Sequence, residues 1–218
     1  MYTHILWDFN GTLLDDTDIA VQSENVLLAR RQMPLIENRE QYQALFCYPI
    51  QSFYEKLGYD FKRDDYQALC HEWVDEYKKR IESAKLQAGA LELLEKLKEN
   101  GIKQVVLSAS EEKMLKSQIA ALKIGGYFDE ILGVDTFHIS DKTEIGRQWI
   151  TKLRPGRAVL LGDTVHDCEV AAQMGIDCIL VANGHQGFET LSKLGVPVYH
   201  NLSDLRRILL NSRQSGDV

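Results

Sequence analysis

Short apolar runs rich in β-branched residues recur at 5–9, 103–108, 130–134, 158–162 and 178–182, and after the first they alternate with segments of helical spacing. Runs of five or six such residues read as strands. Between them, Leu91, Leu94 and Leu97, then Leu115, Ile119 and Leu122, then Ile145, Trp149 and Leu153 fall on single helical faces. Parallel strands cannot be joined by a tight hairpin, so each helix is expected to be a crossover, right-handed by the usual chirality. The fold class that follows is α/β, a Rossmann-like parallel sheet with expected strand order 5-4-1-2-3.

The pattern breaks once. Across 16–86 no strand signal occurs, and Tyr66, Leu69, Cys70, Trp73, Val74, Tyr77 and Ile81 form one helical stripe. This reads as an all-helical insertion, with the stripe as packing inside a small bundle and Pro49 and Gly58 marking turns. The expected division is a core of 1–15 plus 87–218 and an inserted unit of 16–86. Arg30-Arg31 and Lys78-Lys79-Arg80 read as solvated helix faces.

Charge narrows the function classes. A formal net charge of −7 over 218 residues lacks the basic excess that a phosphate backbone demands, so nucleic acid is not an expected partner. The apolar runs fall far short of the roughly 20 residues that cross a bilayer, so no membrane partner is expected either. The amino-terminal run has no secretory pattern, which points to a cytoplasmic protein. Cys47, Cys70, Cys168 and Cys178 show no CxxC or metal-finger spacing and read as free thiols, and 212–218 reads as a frayed end.

Chemistry-bearing residues gather at the ends of the expected strands. The first run delivers Asp8, followed by Phe9-Asn10-Gly11-Thr12, at the edge where open parallel sheets place ligands. The fourth delivers Gly162-Asp163 and then Asp167, and the second ends on Ser108, while Lys142 opens the preceding crossover helix. Each has a plainer reading: Asn10-Gly11 as a turn, Asp167 as a helix cap, Ser108 and Lys142 as cap and surface charge. In the expected strand order, however, Asp8, Ser108, Asp163 and Asp167 converge at one topological switch point.

In this ordered set the sequence resembles the haloacid dehalogenase superfamily, and within it the phosphoglycolate phosphatase-like and β-phosphoglucomutase-like branch with a helical cap. The resemblance covers nearly the whole chain. The pattern D-x-D-G-T-x-x-D corresponds to Asp8 through Asp15 with Asn10 in place of its second acid. Ser108, Lys142 and the G-D-x-x-x-D group of Gly162, Asp163 and Asp167 follow in order. The resemblance implies a phosphatase acting on a small phosphorylated metabolite through an aspartyl phosphate on Asp8. It implies Mg²⁺ held by Asp8, Asp163, Asp167 and the Asn10 backbone carbonyl, and phosphoryl oxygens held by Phe9, Asn10, Gly11, Ser108, Ala109 and Lys142. The catalytic set so implied is Asp8, Asn10, Ser108 and Lys142.

Asn10 departs from the pattern where the family's acid protonates the leaving oxygen and activates water. Such help is typically worth about 10²–10⁴-fold. Three readings stay open: a phosphatase weakened or restricted to acyl and aryl phosphates, a phosphate-binding or regulatory protein, and an Asp-to-Asn change that traps a complex. Asn10-Gly11 is also the dipeptide most prone to deamidation, which would restore an acid. In the inserted unit Gln22, Arg30, Cys47 and Tyr48 are candidate substrate contacts, and Lys56 and Lys62 are candidate Schiff-base lysines without a supporting context. His185 reads as a turn residue near the right edge of the sheet, and His166 lies where the chemistry requires nothing.

Overall fold

The strand and helix patterns materialise in a computed structural model that describes residues 2–134 and 142–210. In chain order the strands are β1 (His4–Trp7), β2 (Leu14–Asp15), β3 (Lys85–Leu86), β4 (Lys103–Glu111), β5 (Glu130–Val134), β6 (Ala158–Gly162), β7 (Asp177–Val181) and β8 (Val198–Tyr199). The six-stranded sheet runs β5-β4-β1-β6-β7-β8, with every pairing parallel. The five expected strands keep their expected order. The sixth, β8, was not expected, because two residues carry no periodicity to read.

Burial shows why the sheet forms. Ile5 and Trp7 of β1 share one apolar cluster with Val106, Val159, Leu161, Ile179 and Val181, whereas Leu6 joins Val105, Leu107, Leu160 and Leu180 on the other face. Alternate residues therefore point to opposite layers, each covered by helices, and both faces are apolar as a parallel sheet requires. The first layer is closed by α5 (Ala90–Glu99) and α6 (Glu112–Ala121), the second by α7 (Lys142–Leu153) and α8 (Val165–Met174). Two expected stripe positions face outward instead: Leu91 and Leu153 are exposed, and Leu93 takes the inward position on α5.

The stretch between β2 and β3 is helical, comprising α1 (Thr17–Arg30), α2 (Arg39–Leu45), α3 (Ile50–Leu57) and α4 (Tyr66–Lys78). It has its own apolar cluster, built from Leu27, Leu28, Tyr42, Phe53, Tyr54, Tyr59 and Leu69. The two chain crossings into and out of it are clamped together as an antiparallel pair, Leu14 opposite Leu86 and Asp15 opposite Lys85. Tyr77 corrects the packing reading of the helical stripe. Its ring leaves the bundle and joins the cluster of the sheet, stacked at 4.9 Å on Trp73. Among the described residues no helix is long and apolar enough to cross a membrane. The segment 212–218 lies outside the described residues.

Candidate active site

The sheet delivers Asp8 by a ladder that outlasts the strand: Asp8 N donates to Leu161 O at 2.8 Å. Phe9 then plunges into the core, and its carbonyl accepts from the amides of Leu13 and Leu14, which closes a tight turn. Gly11 sits in that turn at φ 79°, and a Cβ there would lie 2.3 Å from Asp163 Oδ2. Only glycine meets both demands. Because the Phe9 side chain is fully buried, only its backbone can serve a phosphate.

Asp163 follows β6 directly, with Oδ1 accepting from Thr12 Oγ1 at 2.7 Å and Oδ2 from His185 N at 2.6 Å. Asp167 lies in the first turn of α8, where Thr164 caps the helix in a reciprocal capping box. Its Oδ2 accepts from Thr164 Oγ1 at 2.6 Å and from the amides of Asp163 and Thr164. The cap reading of Asp167 is thus correct for one oxygen. The other oxygen, Oδ1, faces Lys142 Nζ, which also donates to Asp8 Oδ1 at 2.7 Å.

Asp8, Asp163 and Asp167 are buried and offer oxygens all within 4.8 Å of one another. Burial, with Asp163 and Asp167 close by, pushes the Asp8 carboxyl up to about 8 against the pull of Lys142. Burial likewise raises Asp163, to about 6. Burial also works against Asp167, yet Lys142 and Thr164 hold it below the usual carboxylate range. Lys142 is itself raised despite its burial, because it lies between two carboxylates. Ionising all three buried carboxylates against one lysine would leave an excess of negative charge on hard oxygen donors, and a small divalent cation fits that donor set.

The remaining expected residues distribute around this centre. Ser108 is buried and its hydroxyl accepts from Ser110 N at 3.1 Å; Ala109 beside it is exposed. This stretch of β4 shifts register against β5 between Leu107 and Glu111, an irregularity of the kind that re-aims side chains. Ser110 Oγ in turn donates to Asn10 Oδ1 at 2.8 Å. Of the candidates in the helical stretch, Tyr48 stacks on His166 with ring centroids 4.6 Å apart. Burial pushes its hydroxyl up, and the acid cluster adds to that shift while Lys142 opposes it. Arg30 is bound to Glu76 at 2.6 Å, Gln22 is exposed, and Cys47 is a half-buried free thiol. Lys56 and Lys62 are exposed, and Lys56 donates to Leu45 O.

His185 is more than a turn residue. It is buried, its Nδ1 lies 2.9 Å from the Tyr42 hydroxyl, and its Nε2 lies 3.4 Å from Asp16 Oδ1. Burial disfavours its protonation, but Asp16 and the acid cluster raise it to about 9. Asp16 itself resists the upward push of burial and lies below the usual range through His185, Tyr77 and Asn10. Asp16, Tyr77 and Ser110 were not expected here. The single sequence signal for Asp16 was an acid before a helix, which ordinarily means a cap.

A parallel sheet whose rim gathers three buried carboxylates and a lysine defines a hydrolase-type α/β site. The haloacid dehalogenase-like hydrolase family model matches residues 5–181, and the chain belongs to that family. It is 26% identical to a phosphoglycolate phosphatase of Caulobacter vibrioides, over 92% of this chain and 88% of the relative. It is 25% identical to pyrophosphatase PpaX of Bacillus velezensis, over 87% of this chain and 88% of the relative. In fold it is similar to a haloacid dehalogenase-like family hydrolase from Streptococcus pneumoniae, with TM-score 0.80, 19% identity, and coverage of 95% and 98% of the two chains.

Proposed function

We propose that the chain is a magnesium-dependent phosphatase of a small phosphorylated metabolite, working in the cytoplasm through an aspartyl phosphate on Asp8. The observation that carries this reading is the convergence of Asp8, Asp163 and Asp167 within 4.8 Å, with Lys142 bridging two of them. Four unbridged cysteines suit a reducing compartment.

Asp8, Asp163, Asp167 and the Asn10 carbonyl would hold the metal. Bound there, magnesium neutralises phosphate charge that would otherwise repel a carboxylate nucleophile. Lys142 fixes Asp8 through Oδ1, and among the described residues no hydrogen bond engages Asp8 Oδ2. Asp8 forms a bond to phosphorus as the bond from phosphorus to the leaving oxygen breaks, and the leaving group departs with the electron pair. Water then attacks the phosphorus of the acyl phosphate, which frees inorganic phosphate and restores Asp8. The amides of Phe9 and Asn10, with Ser108, Ala109 and Lys142, hold phosphoryl oxygens as charge redistributes. The expected part of Gly11 is corrected, because its N–H already donates to Asp16 Oδ1 at 2.8 Å and to Leu14 O at 3.0 Å. Asn10 cannot donate a proton, so the best substrates are those whose leaving groups depart unprotonated: acyl phosphates, aryl phosphates and phosphoanhydrides. The helical stretch 16–86 acts as a cap that closes over the rim and excludes water.

The test is a panel of phosphate esters and anhydrides with and without Mg²⁺, run on the natural chain and on Asp8→Asn. Metal-dependent turnover that Asp8→Asn abolishes supports the reading; equal, metal-independent background in both proteins overturns it.

A further inference from the structure

The side chain of Asn10 is saturated. Its Nδ2 donates to Asp16 Oδ2 at 2.9 Å and to the Tyr77 hydroxyl at 2.8 Å, while its Oδ1 accepts from Ser110 Oγ. Tyr77 completes a triangle by donating to Asp16 Oδ2 at 2.5 Å. The donor directions are forced. A carboxylate flanked by Gly11 N at 2.8 Å and by the His185 ring only accepts, so the amide must present nitrogen to it. Each of the amide's two N–H groups then has one acceptor, and the phenol has one of each.

Asp16 stands at the amino-terminal cap of α1, yet its side chain makes no cap hydrogen bond. It turns inward to the catalytic turn and is 1% exposed. A carboxylate at position 10 would set two buried acids edge to edge with one phenolic proton to share, which buried like charges do not tolerate. Exchanging the two side chains, by contrast, keeps one acid, one amide and one phenol in the same triangle.

We propose that positions 10 and 16 form an exchanged acid–amide pair, in which Asp16 carries the carboxylate of this corner, Asn10 supplies the donor it requires, and Tyr77 fastens both to the helical stretch. Asp16 is a positioning residue: it acts through the amide of Asn10 and the backbone of Gly11, next to Asp8. Asn10 is on this account the residue the corner is built around. The catalytic consequence rests on the phosphatase reading above; the hydrogen-bond pairing does not.

The experiment is a cycle on the full chain of wild type, Asn10→Asp, Asp16→Asn and the variant carrying both changes. Tm is read without substrate, and kcat and KM are read on p-nitrophenyl phosphate with Mg²⁺. Each single change is expected to lower Tm by about 4–8 °C, as losing one buried hydrogen-bond partner does in a chain of this size. Each should also lower kcat about tenfold or more with little change in KM. The double variant should recover most of both losses, a coupling that independent sites do not show. The inference is overturned if the losses of the double variant equal the sum of the singles, or if Asn10→Asp alone matches wild type in Tm and exceeds it in kcat. Should the acid and amide variants not fold, Tyr77→Phe decides: a drop in Tm and kcat supports the triangle, and wild-type values overturn it. Absence of turnover in the wild type would sink the phosphatase reading alone, leaving Tm to judge the pairing.

Discussion

On one side of the turn that follows Asp8, three buried carboxylates stand with a single lysine that pairs with two of them; on the other, one buried carboxylate is ringed by an amide, a phenol, a backbone N–H and an imidazole. In the first cluster burial and the neighbouring carboxylates outweigh the donors present, so Asp8 and Asp163 are raised. The second has donors to spare, so Asp16 is lowered. A site deficient in positive charge suits capture of a cation and attack on phosphorus. A site already balanced suits holding a shape. The same residue type thus does two jobs a few residues apart, and the difference lies in what surrounds it.

The comparison breaks most sharply at Lys142. Lys142→Met removes the one cation of the first cluster, and one-sided loss of a buried ion pair costs about 3–5 kcal/mol. Turnover should fall about 10³-fold or more, since charge stabilisation of the phosphoryl group goes with it. Added Mg²⁺ should raise the Tm of this variant more than that of wild type. A variant stabilised by Mg²⁺ no more than wild type would show that the three carboxylates do not act as one cation site.

A smaller effect is expected from Gly184→Ala, which leaves every charge in place. The new Cβ would lie 2.1 Å from Asp163 Oδ2 and 2.5 Å from its Cγ, so the carboxylate must shift. The Mg²⁺ concentration giving half-maximal turnover should rise about tenfold, equivalent to about 1.4 kcal/mol, while kcat at saturating metal changes little. An unchanged metal requirement would separate Asp163 from the metal.

How much of this was legible in the sequence differs between the two clusters for a physical reason. Asp8, Asp163 and Asp167 each follow an apolar strand run, and in a parallel sheet all strands end at one rim, so strand order alone brings them together. The five main strands and their order were readable by the same logic. Asp16 and Tyr77 meet because a helical stretch folds back on the turn, and no periodicity encodes that contact. Asp16 is not singled out by the sequence, Tyr77 reads as one more aromatic in a packing stripe, and His185 reads as a turn residue; both local readings are sound by themselves. What decides between packing and function is a terminal polar atom, the Tyr77 hydroxyl or the His185 Nε2, and its partner lies 61 or 169 residues away in the chain.

Another buried acid sharpens the contrast, because among the described residues it has no ion-pair partner and no ring of donors, only one hydrogen bond and the pull of Arg31. Glu24 of α1 is fully buried; Tyr59 donates to its Oε1 at 3.0 Å, and among the described residues Oε2 has no hydrogen-bond partner. Burial pushes it up to about 7. A folded-state value above the unfolded one means the native protein binds the extra proton. Stability from this group is therefore greatest at low pH and declines as pH rises from the ordinary glutamate range to about 7. The full difference is about 3 kcal/mol. Glu24→Gln should match wild type near pH 5 and exceed it by up to that amount at pH 8.5 in urea unfolding. Equal stabilities at pH 8.5 would mean that Glu24 ionises at little cost.

The smallest expected effect concerns the chemistry of Asn10-Gly11. Deamidation requires the amide nitrogen of Gly11 to attack the side-chain carbonyl carbon of Asn10 and close a five-membered ring. In the fold that nitrogen is occupied twice, donating to Asp16 Oδ1 at 2.8 Å and to Leu14 O at 3.0 Å. The Asn10 amide is meanwhile pinned at both ends by Asp16, Tyr77 and Ser110. Ring closure would have to break all of these before any new bond forms. Residue 10 should stay Asn in native protein held at mildly alkaline pH, and convert in the same protein kept in denaturant, as peptide mapping by mass would show. Asp16→Asn should raise the native rate, because it loosens the pair that holds both reacting atoms. Equal conversion in native and denatured protein would mean that the second cluster opens freely, and its contrast with the first would then be one of charge alone.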